Sequence, residues 1–414
     1  DVYKRQAVLG LSDNRLIAAL ENVFGQDHQA LELNTRAVEI AYEFINQLCG
    51  AAASQAWLHN QQVDNETLLL NGSQSVALGK LAAGLTFQTY YPISPASDES
   101  VFLEQQNPIP LFNGQHLAPL VLQVEDEMSA AAMACGAALT GARSATSTSG
   151  PGFCLMTESI GWAGMNEVPL VVSLYQRGGP STGMPTRTEQ GDLRFAIHSG
   201  HGEFPRLVMA SGDINDCFFD SLQAFNYAER YQLPVIHLLD KALASSTQTL
   251  RRFHYEKKRV DRGERFTISD PDATPVERFI PTTSGISPRP LLGQDNTQHW
   301  LSGAEHDTFG QVSEDPGIRE QMMEKRMRKQ QQILDDLLTE EKLRVNGNEI
   351  AGFTVLTWGS TKGAVWDAVK RMRQRGITVR AIQLRLLWPF PEKELSELLI
   401  NAKPLVIAEC NYSG

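Results

Sequence analysis

Three residues far apart in the chain have the side chains that binding and activating a small carboxylate would need. Glu127 closes the acid run Glu125-Asp126-Glu127, behind an apolar strand from Leu120 to Val124 and ahead of a helix of small residues, with Ala130, Ala131, Ala134, Ala138 and Gly136. That context puts its carboxylate at the carboxyl edge of a parallel sheet, where open α/β folds bind ligands; the alternative is a helix-start acid facing the helix dipole. Ser94 stands between Pro92 and Pro95. The two rings fix the backbone and remove two amide donors, which holds the hydroxyl on a stiff loop at the end of a strand, Thr86 to Tyr91. Capping the next helix is its other role, one that Ser97 or Asp98 could fill. Arg177 follows a strand from Pro169 to Tyr175 and opens the loop Gly178 to Gly183, where a planar guanidinium fork can meet a carboxylate in bidentate fashion. Its alternatives are a surface position or a salt bridge to Glu189 or Asp192, and Arg187 is a rival for the same task.

The elements that must position these groups read as strand, helix, strand, turn, helix, the unit of a parallel α/β sheet. The helix after Glu127 can pack closely on its neighbours. A strand from Ser144 to Thr148 then ends in the bare turn Ser149-Gly150-Pro151-Gly152, with a helix expected from near Phe153. Alternation continues through strands Arg206 to Ala210 and Pro234 to Leu239 and a helix from about Asn215 to Arg230. Residues 1–66 are expected to hold two amphipathic helices and a polar linker, Gln61 to Glu66. Their apolar faces are Leu16, Ile17, Leu20, Val23 and Phe24, then Ala37, Ile40, Ala41, Phe44, Ile45 and Leu48. Residues 67–250 form the main α/β domain. Residues 251–350 comprise an irregular crossing segment, which includes Glu305-His306-Asp307, and a charged connector helix from about Ile318 to Leu343, read as solvated. Residues 351–414 form a second α/β unit, in which Gly359-Ser360-Thr361 before a helix could cradle an anion.

Composition narrows the class. A formal charge of −11 and a pI near 5.4 argue against nucleic-acid or anionic-membrane partners. No apolar run reaches the ~20 residues of a membrane span and no signal peptide is visible, so a cytoplasmic location is expected. The five cysteines contain no C-x-x-C pair, so no disulfide framework, zinc site or iron–sulfur site is indicated.

Taken together, Tyr91-Pro92-Ile93-Ser94-Pro95, Glu125-Asp126-Glu127, Thr148-Ser149-Gly150-Pro151-Gly152 and Arg177 to Gly183 resemble the α subunit of 2-oxoacid:ferredoxin oxidoreductases. Gly303 to Asp307, Trp358 to Thr361 and Pro389-Phe390-Pro391 continue the resemblance, which spans about Leu70 to Gly414 in order. The stretch before Leu70 is similar to the tail of the family's γ subunit, and Asn411 to Gly414 fall in the middle of a family motif, so the chain reads as truncated.

The resemblance implies a thiamine-diphosphate-binding, pyrimidine-type α/β domain followed by a transketolase C-terminal-like domain. It implies that thiamine diphosphate is shared with a β subunit, with coenzyme A as co-substrate and ferredoxin as electron acceptor, in a heterodimer or dimer of heterodimers. Glu127 takes the aminopyrimidine-activating role, in which a carboxylate at the ring nitrogen favours the imino tautomer. Ser94, usually threonine in the family, and Arg177 hold the 2-oxoacid carboxylate. Tyr91, Pro92, Ile93, Ser149, Gly150, Pro151 and Gly152 line the cofactor. The Gly-Asp-Gly magnesium motif of thiamine enzymes has only one near match, Gly212-Asp213-Ile214, so magnesium and the iron–sulfur cluster are expected on the partner chain. The alternatives are a non-catalytic assembly subunit and a transketolase- or acetolactate-type enzyme.

Overall fold

The computed structural model describes residues 2–49, 66–106, 109–110, 116–117, 119–255, 260–267, 276–347, 352–400, 402 and 404–414. They fall into two compact units, Asp1–Thr67 and Leu68–Gly414. The expected linker, except for Glu66, lies outside the described residues.

The first unit consists of α1 (Val2–Val8), α2 (Asp13–Phe24) and α3 (His28–Cys49). Its buried stripe differs from the expected one. Helix α3 buries Val38, Ala41 and Ile45, whereas Ile40, Phe44, Leu48 and, on α2, Val23 stay exposed. Positions two apart sit about 200° around a helix from one another, so α3 carries two apolar lines and only one of them faces its neighbours.

The second unit runs β1 (Thr67–Asn71), α4 (Gly72–Ala82), β2 (Phe87–Tyr90), α5 (Ser97–Glu104), β3 (Ile109–Pro110), β4 (His116–Leu117), β5 (Leu120–Gln123), α6 (Glu127–Leu139), β6 (Ser144–Ser149), α7 (Gly150–Met165) and β7 (Leu170–Gln176). It continues with α8 (Leu193–His198), β8 (Leu207–Ala210), α9 (Ile214–Tyr231), β9 (Pro234–Asp240), α10 (Lys241–Ser245), β10 (Thr247–Arg251), α11 (Pro316–Asp336), α12 (Thr339–Lys342), β11 (Leu343–Asn346), β12 (Thr354–Trp358), α13 (Thr361–Gln374), β13 (Arg380–Leu384), β14 (Leu386–Trp388), α14 (Glu392–Leu399) and β15 (Leu405–Ala408).

Its main sheet has the order β14-β8-β9-β7-β6-β2-β5. All neighbours are parallel except β14, which comes from the C-terminal stretch and adds to β8 antiparallel. Strands β6, β7 and β9 are buried along their whole length, as expected where helices cover both faces. Helix α6 buries Ala130, Ala131, Ala134 and Ala138 completely. Their small side chains bring its backbone so close to the sheet that Thr89 Oγ1 donates to the Ala130 carbonyl at 2.6 Å. Helix α7 begins at Gly150 rather than near Phe153, because Ser149 already has cap geometry and Pro151 sits in the first turn, where a missing N–H costs nothing.

The connector helix corrects an expectation. It spans Pro316–Asp336, shorter than predicted, and Lys325, Arg326 and Lys329 on it are buried rather than solvated. Glu167, before β7, takes both lysines, with Lys329 Nζ at 2.6 Å. Glu305 takes Arg326 Nη1 at 2.8 Å and also pairs with Arg319. Beside it His306 packs on Phe279 with ring centroids 4.2 Å apart, and Asp307 Oδ1 accepts the Phe309 and Gln311 amides, so this cluster locks the crossing segment onto α11. The second sheet has the order β11-β13-β12-β15, with β11 antiparallel and the rest parallel.

Candidate active site

Glu127 is the first residue of α6, but it is not the cap. Asp126 takes that role, accepting from Ser129 N at 2.6 Å, and this hydrogen bond holds its carboxyl below the usual range. The neighbouring acid is thereby spared the bland task. The Glu127 side chain is turned inward at 6 % exposure, and no donor among the described residues engages its carboxylate. Neither of its oxygens is among the fully buried unpaired polar atoms, so the carboxylate keeps access to the surface and is open to a donor from outside. It lies against the start of α7. A Cβ on Gly152 would overlap Glu127 Oε1 and Thr148 Oγ1 and come within 2.7 Å of Glu127 Cγ. The glycine is what leaves room for the carboxylate.

The other two groups meet on the same turn. Ser149 Oγ donates to the Ser94 carbonyl at 3.0 Å, and Arg177 Nη1 donates to that same carbonyl at 2.6 Å. Arg177 Nη2 donates to the Thr182 carbonyl at 3.0 Å, whereas its Nε, buried, has no partner. Burial pulls the guanidinium below its ordinary pKa, and Asp192 partly offsets this without a direct ion pair. Glu189 is engaged elsewhere, its Oε2 taking the Gly179 amide at 3.0 Å. Ser94 does not cap a helix; Ala96 stands at the cap of α5 with no side-chain cap hydrogen bond, and Ser97, the first helical residue, ties back to the loop by accepting from Ile93 N at 2.8 Å. The Ser94 hydroxyl is exposed and has no partner among the described residues, and Tyr91 and Pro92 beside it are also exposed. The turn 148–152 therefore links all three groups, with Glu127 against Gly152 and the Ser94–Arg177 pair at Ser149. Every member lies at the carboxyl ends of β2, β5, β6 or β7. Arg187, the rival guanidinium, is exposed on the outer part of the loop.

Two rim residues were not singled out from the sequence. Asp192 packs on Gly150, where a Cβ would lie 3.0 Å from its Oδ2, an oxygen that is buried and unpaired. Burial and the neighbouring Glu189 push its carboxyl up to about 6, against the pull of Arg177. Gln190 is 1 % exposed. Neither sits in a spacing that sequence alone distinguishes; the one signal is an acid–amide–Gly–acid run, Glu189 to Asp192, just after the glycine loop.

A pyrimidine-type α/β domain with an unpartnered carboxylate on its rim, followed by a second α/β unit, defines the class as a thiamine-diphosphate-binding, transketolase-like fold. Residues 78–325 match the family model described as pyruvate flavodoxin/ferredoxin oxidoreductase, thiamine-diphosphate-binding, and residues 351–414 match pyruvate:ferredoxin oxidoreductase core domain II. The chain belongs to the 2-oxoacid:ferredoxin oxidoreductase family. It is 43 % identical to the 2-oxoacid:ferredoxin oxidoreductase subunit alpha of Saccharolobus solfataricus, over 98 % of this chain and 64 % of that one. It is 31 % identical to the 2-oxoglutarate synthase subunit KorA of Methanocaldococcus jannaschii, over 83 % of this chain and 88 % of the relative. The solved 2-oxoglutarate:ferredoxin oxidoreductase from Magnetococcus marinus, with 2-oxoglutarate, coenzyme A and succinyl-CoA bound, superimposes with a TM-score of 0.85 at 34 % identity, covering 100 % of this chain and 70 % of that one. The chain thus spans about 64 % of the length of the 2-oxoacid:ferredoxin oxidoreductase α subunits of Saccharolobus solfataricus and Aeropyrum pernix that it matches.

The rim fits the pyrimidine edge of the cofactor on one count: among the described residues no donor engages the Glu127 carboxylate, which occupies the space that Gly152 leaves beside the 148–152 turn. Among the described residues, no group of three His, Cys, Asp or Glu side chains could hold a metal ion.

Proposed function

We propose that this chain is the α-type component of a 2-oxoacid:ferredoxin oxidoreductase, acting with a β subunit to convert a 2-oxoacid, coenzyme A and oxidised ferredoxin to acyl-CoA, carbon dioxide and reduced ferredoxin. Thiamine diphosphate, when bound, supplies the electron sink that lets a 2-oxoacid lose carbon dioxide. The chain's own part is to prepare the two ends of the reaction. Glu127, whose carboxylate has no donor among the described residues, would hold the cofactor by accepting a hydrogen bond from a protonated ring nitrogen. Ser94 Oγ, exposed and unbonded, donates to the substrate carboxylate. Arg177 has committed one N–H from each terminal nitrogen to loop carbonyls, so its position is set before substrate arrives and its remaining N–H groups face the carboxylate. Tyr91, Pro92 and Ile93 and the turn Ser149 to Gly152 behind them are the residues that would hold the cofactor ring. Magnesium and the iron–sulfur cluster are assigned to the partner, since this sequence carries neither the Gly-Asp-Gly motif nor a cysteine pair.

The observation that carries this reading is the Glu127 carboxylate, on a side chain turned inward and with no donor among the described residues, beside a capping acid that makes it unnecessary for the helix. The test is Glu127→Gln in the chain assembled with its β subunit, following deuterium exchange at thiazolium C2 by NMR. Exchange should fall by roughly 10²-fold or more. Exchange at the wild-type rate would make Glu127 structural and end the assignment.

A further inference from the structure

The Gly359-Ser360-Thr361 turn, a candidate anion cradle from the sequence, is already filled by the protein itself. Gly359 has φ +60°, and a Cβ there would overlap the amide nitrogen of Gln190. That amide is fully used: Gln190 Nε2 donates to the Trp358 carbonyl at 2.8 Å, and Oε1 accepts from Cys410 N at 2.8 Å. Its backbone N–H adds a third bond, to the Cys410 carbonyl at 2.6 Å. Trp358 ends β12 and Cys410 lies just beyond the adjacent parallel strand β15. A side chain from the main domain therefore plugs the carboxyl edge of the second sheet, the place where such a sheet would otherwise receive a ligand.

The residues flanking Gln190 hold the Arg177 loop. Glu189 Oε2 takes the Gly179 amide at 3.0 Å, the Asp192 amide donates to Gln176 Oε1 at 3.0 Å, and Thr188 Oγ1 donates to Asp240 Oδ1 at 3.3 Å. Gln176 and Gly179 bracket Arg177 in sequence, so the loop's outgoing end pins its incoming end, and Gln190 pins the outgoing end to the second α/β unit. We propose that Gln190 is a positioning residue through which the C-terminal α/β unit holds the 177–192 loop, and with it the Arg177 guanidinium, in its substrate-binding place. The second unit thereby sets affinity for the 2-oxoacid although it contributes no side chain to the rim. This rests on the reading of Arg177 given above.

The experiment uses the full chain with its β subunit, as wild type, Gln190→Ala, Gln190→Glu and Gly359→Ala. Gln190→Ala removes one of the two donors to the Trp358 carbonyl, which keeps Thr361 Oγ1 at 2.7 Å, and takes away the side-chain acceptor of the Cys410 amide; Gln190→Glu keeps the acceptor and loses the donor. Gly359→Ala displaces the Gln190 amide from the opposite side and supplies the variant should Gln190→Ala fail to fold. Hydrogen–deuterium exchange by mass spectrometry should show faster exchange across 178–192. The KM for the 2-oxoacid should rise about tenfold or more while that for coenzyme A stays unchanged. In an Arg177→Ala background the Gln190 effect on KM should vanish, because both changes remove the same contact. Wild-type exchange across the loop in all three variants would overturn the staple and leave the Arg177 assignment standing. Faster loop exchange with equal rises in both KM values, or with effects that add to Arg177→Ala, would reduce Gln190 to a structural residue. Arg177→Ala with an unchanged 2-oxoacid KM would instead remove the underlying reading, while the exchange data still reported on the staple.

Discussion

At the scale of single residues, the site depends on which acid does the ordinary work. Asp126 caps α6, so the energy of the helix start does not rest on Glu127, and the Glu127 side chain can be kept buried without a protein donor. Gly152→Ala tests this placement without touching the carboxylate. The added methyl group would overlap Glu127 Oε1 and Thr148 Oγ1, an overpacking that costs about 1–3 kcal/mol and is relieved most readily by turning the glutamate away. Turnover of the assembled enzyme should fall by roughly 10²-fold or more, approaching Glu127→Gln, while the KM for coenzyme A is preserved. Wild-type turnover would show that the carboxylate is not needed where it stands. Arg177→Ala should act differently, raising the KM for the 2-oxoacid roughly 10- to 100-fold, which corresponds to the loss of a hydrogen bond to a charged group. Equal increases in the two KM values would remove the assignment. Ser94 and Arg177 stood out because each lies at a strand end beside Pro or Gly, and Glu127 because it stands between an apolar strand and a helix of small residues. Gln190 and Asp192 did not, because their partners, Trp358, Cys410 and Gly150, lie up to 220 positions away along the chain.

At the scale of elements, the buried strands read correctly from short apolar or β-branched runs, but several short elements escaped, β14 among them, and so did the buried face of α11. Strand β14 is three residues long and pairs antiparallel with β8, a choice made by the way the second unit packs and not by local pattern. Helix α11 reads as solvated because charge normally stays in water, yet its inward stripe finds Glu167 and Glu305, which no helical spacing could reveal. The Glu305 pairing has a pH signature. Burial works against the charged form, but hydrogen bonds from Arg326 and Arg319 prevail and hold its carboxyl at about 2, below the ordinary 4.5. A depressed folded-state pKa means the unfolded chain binds the proton more readily, so this contribution is complete above pH 4.5 and is lost as pH falls towards 2. In urea titrations at successive pH values, Glu305→Gln should be less stable than wild type at neutral pH and should show a shallower loss of stability across that interval. Parallel curves for the two proteins would mean that the Glu305 pairing adds nothing to the hold on α11 beyond the Glu167 pairs and packing.

At the scale of the whole molecule, the proposed reading makes the candidate rim half of a site. In that reading its carboxylate, hydroxyl and guanidinium address the pyrimidine and the substrate, while among the described residues no group of three or more His, Cys, Asp or Glu side chains could hold the metal of a diphosphate. Asp213, in the nearest approach to a magnesium motif, is already committed: its Oδ1 caps α9 by accepting Asp216 N at 2.8 Å, and its Oδ2 pairs with Lys362 Nζ at 2.5 Å. Around the rim, Met128, Leu155, Met184 and Tyr91 are between 40 % and 55 % exposed, apolar surface of the kind a second polypeptide covers. A cofactor held at one end only gives up most of its binding energy, because the charged diphosphate is the part that grips most strongly. The isolated chain, titrated calorimetrically with thiamine diphosphate and magnesium, should therefore show no saturable binding at micromolar concentrations, and no thermal stabilisation by the ligand. Addition of the β subunit should restore both, together with 2-oxoacid oxidation. Glu127→Gln should lower the affinity of that assembly for thiamine diphosphate without changing its affinity for inorganic pyrophosphate, since the carboxylate faces only the ring. Tight binding or turnover by the chain alone would mean that the diphosphate site lies on this chain after all and that the division of the site between two polypeptides is wrong.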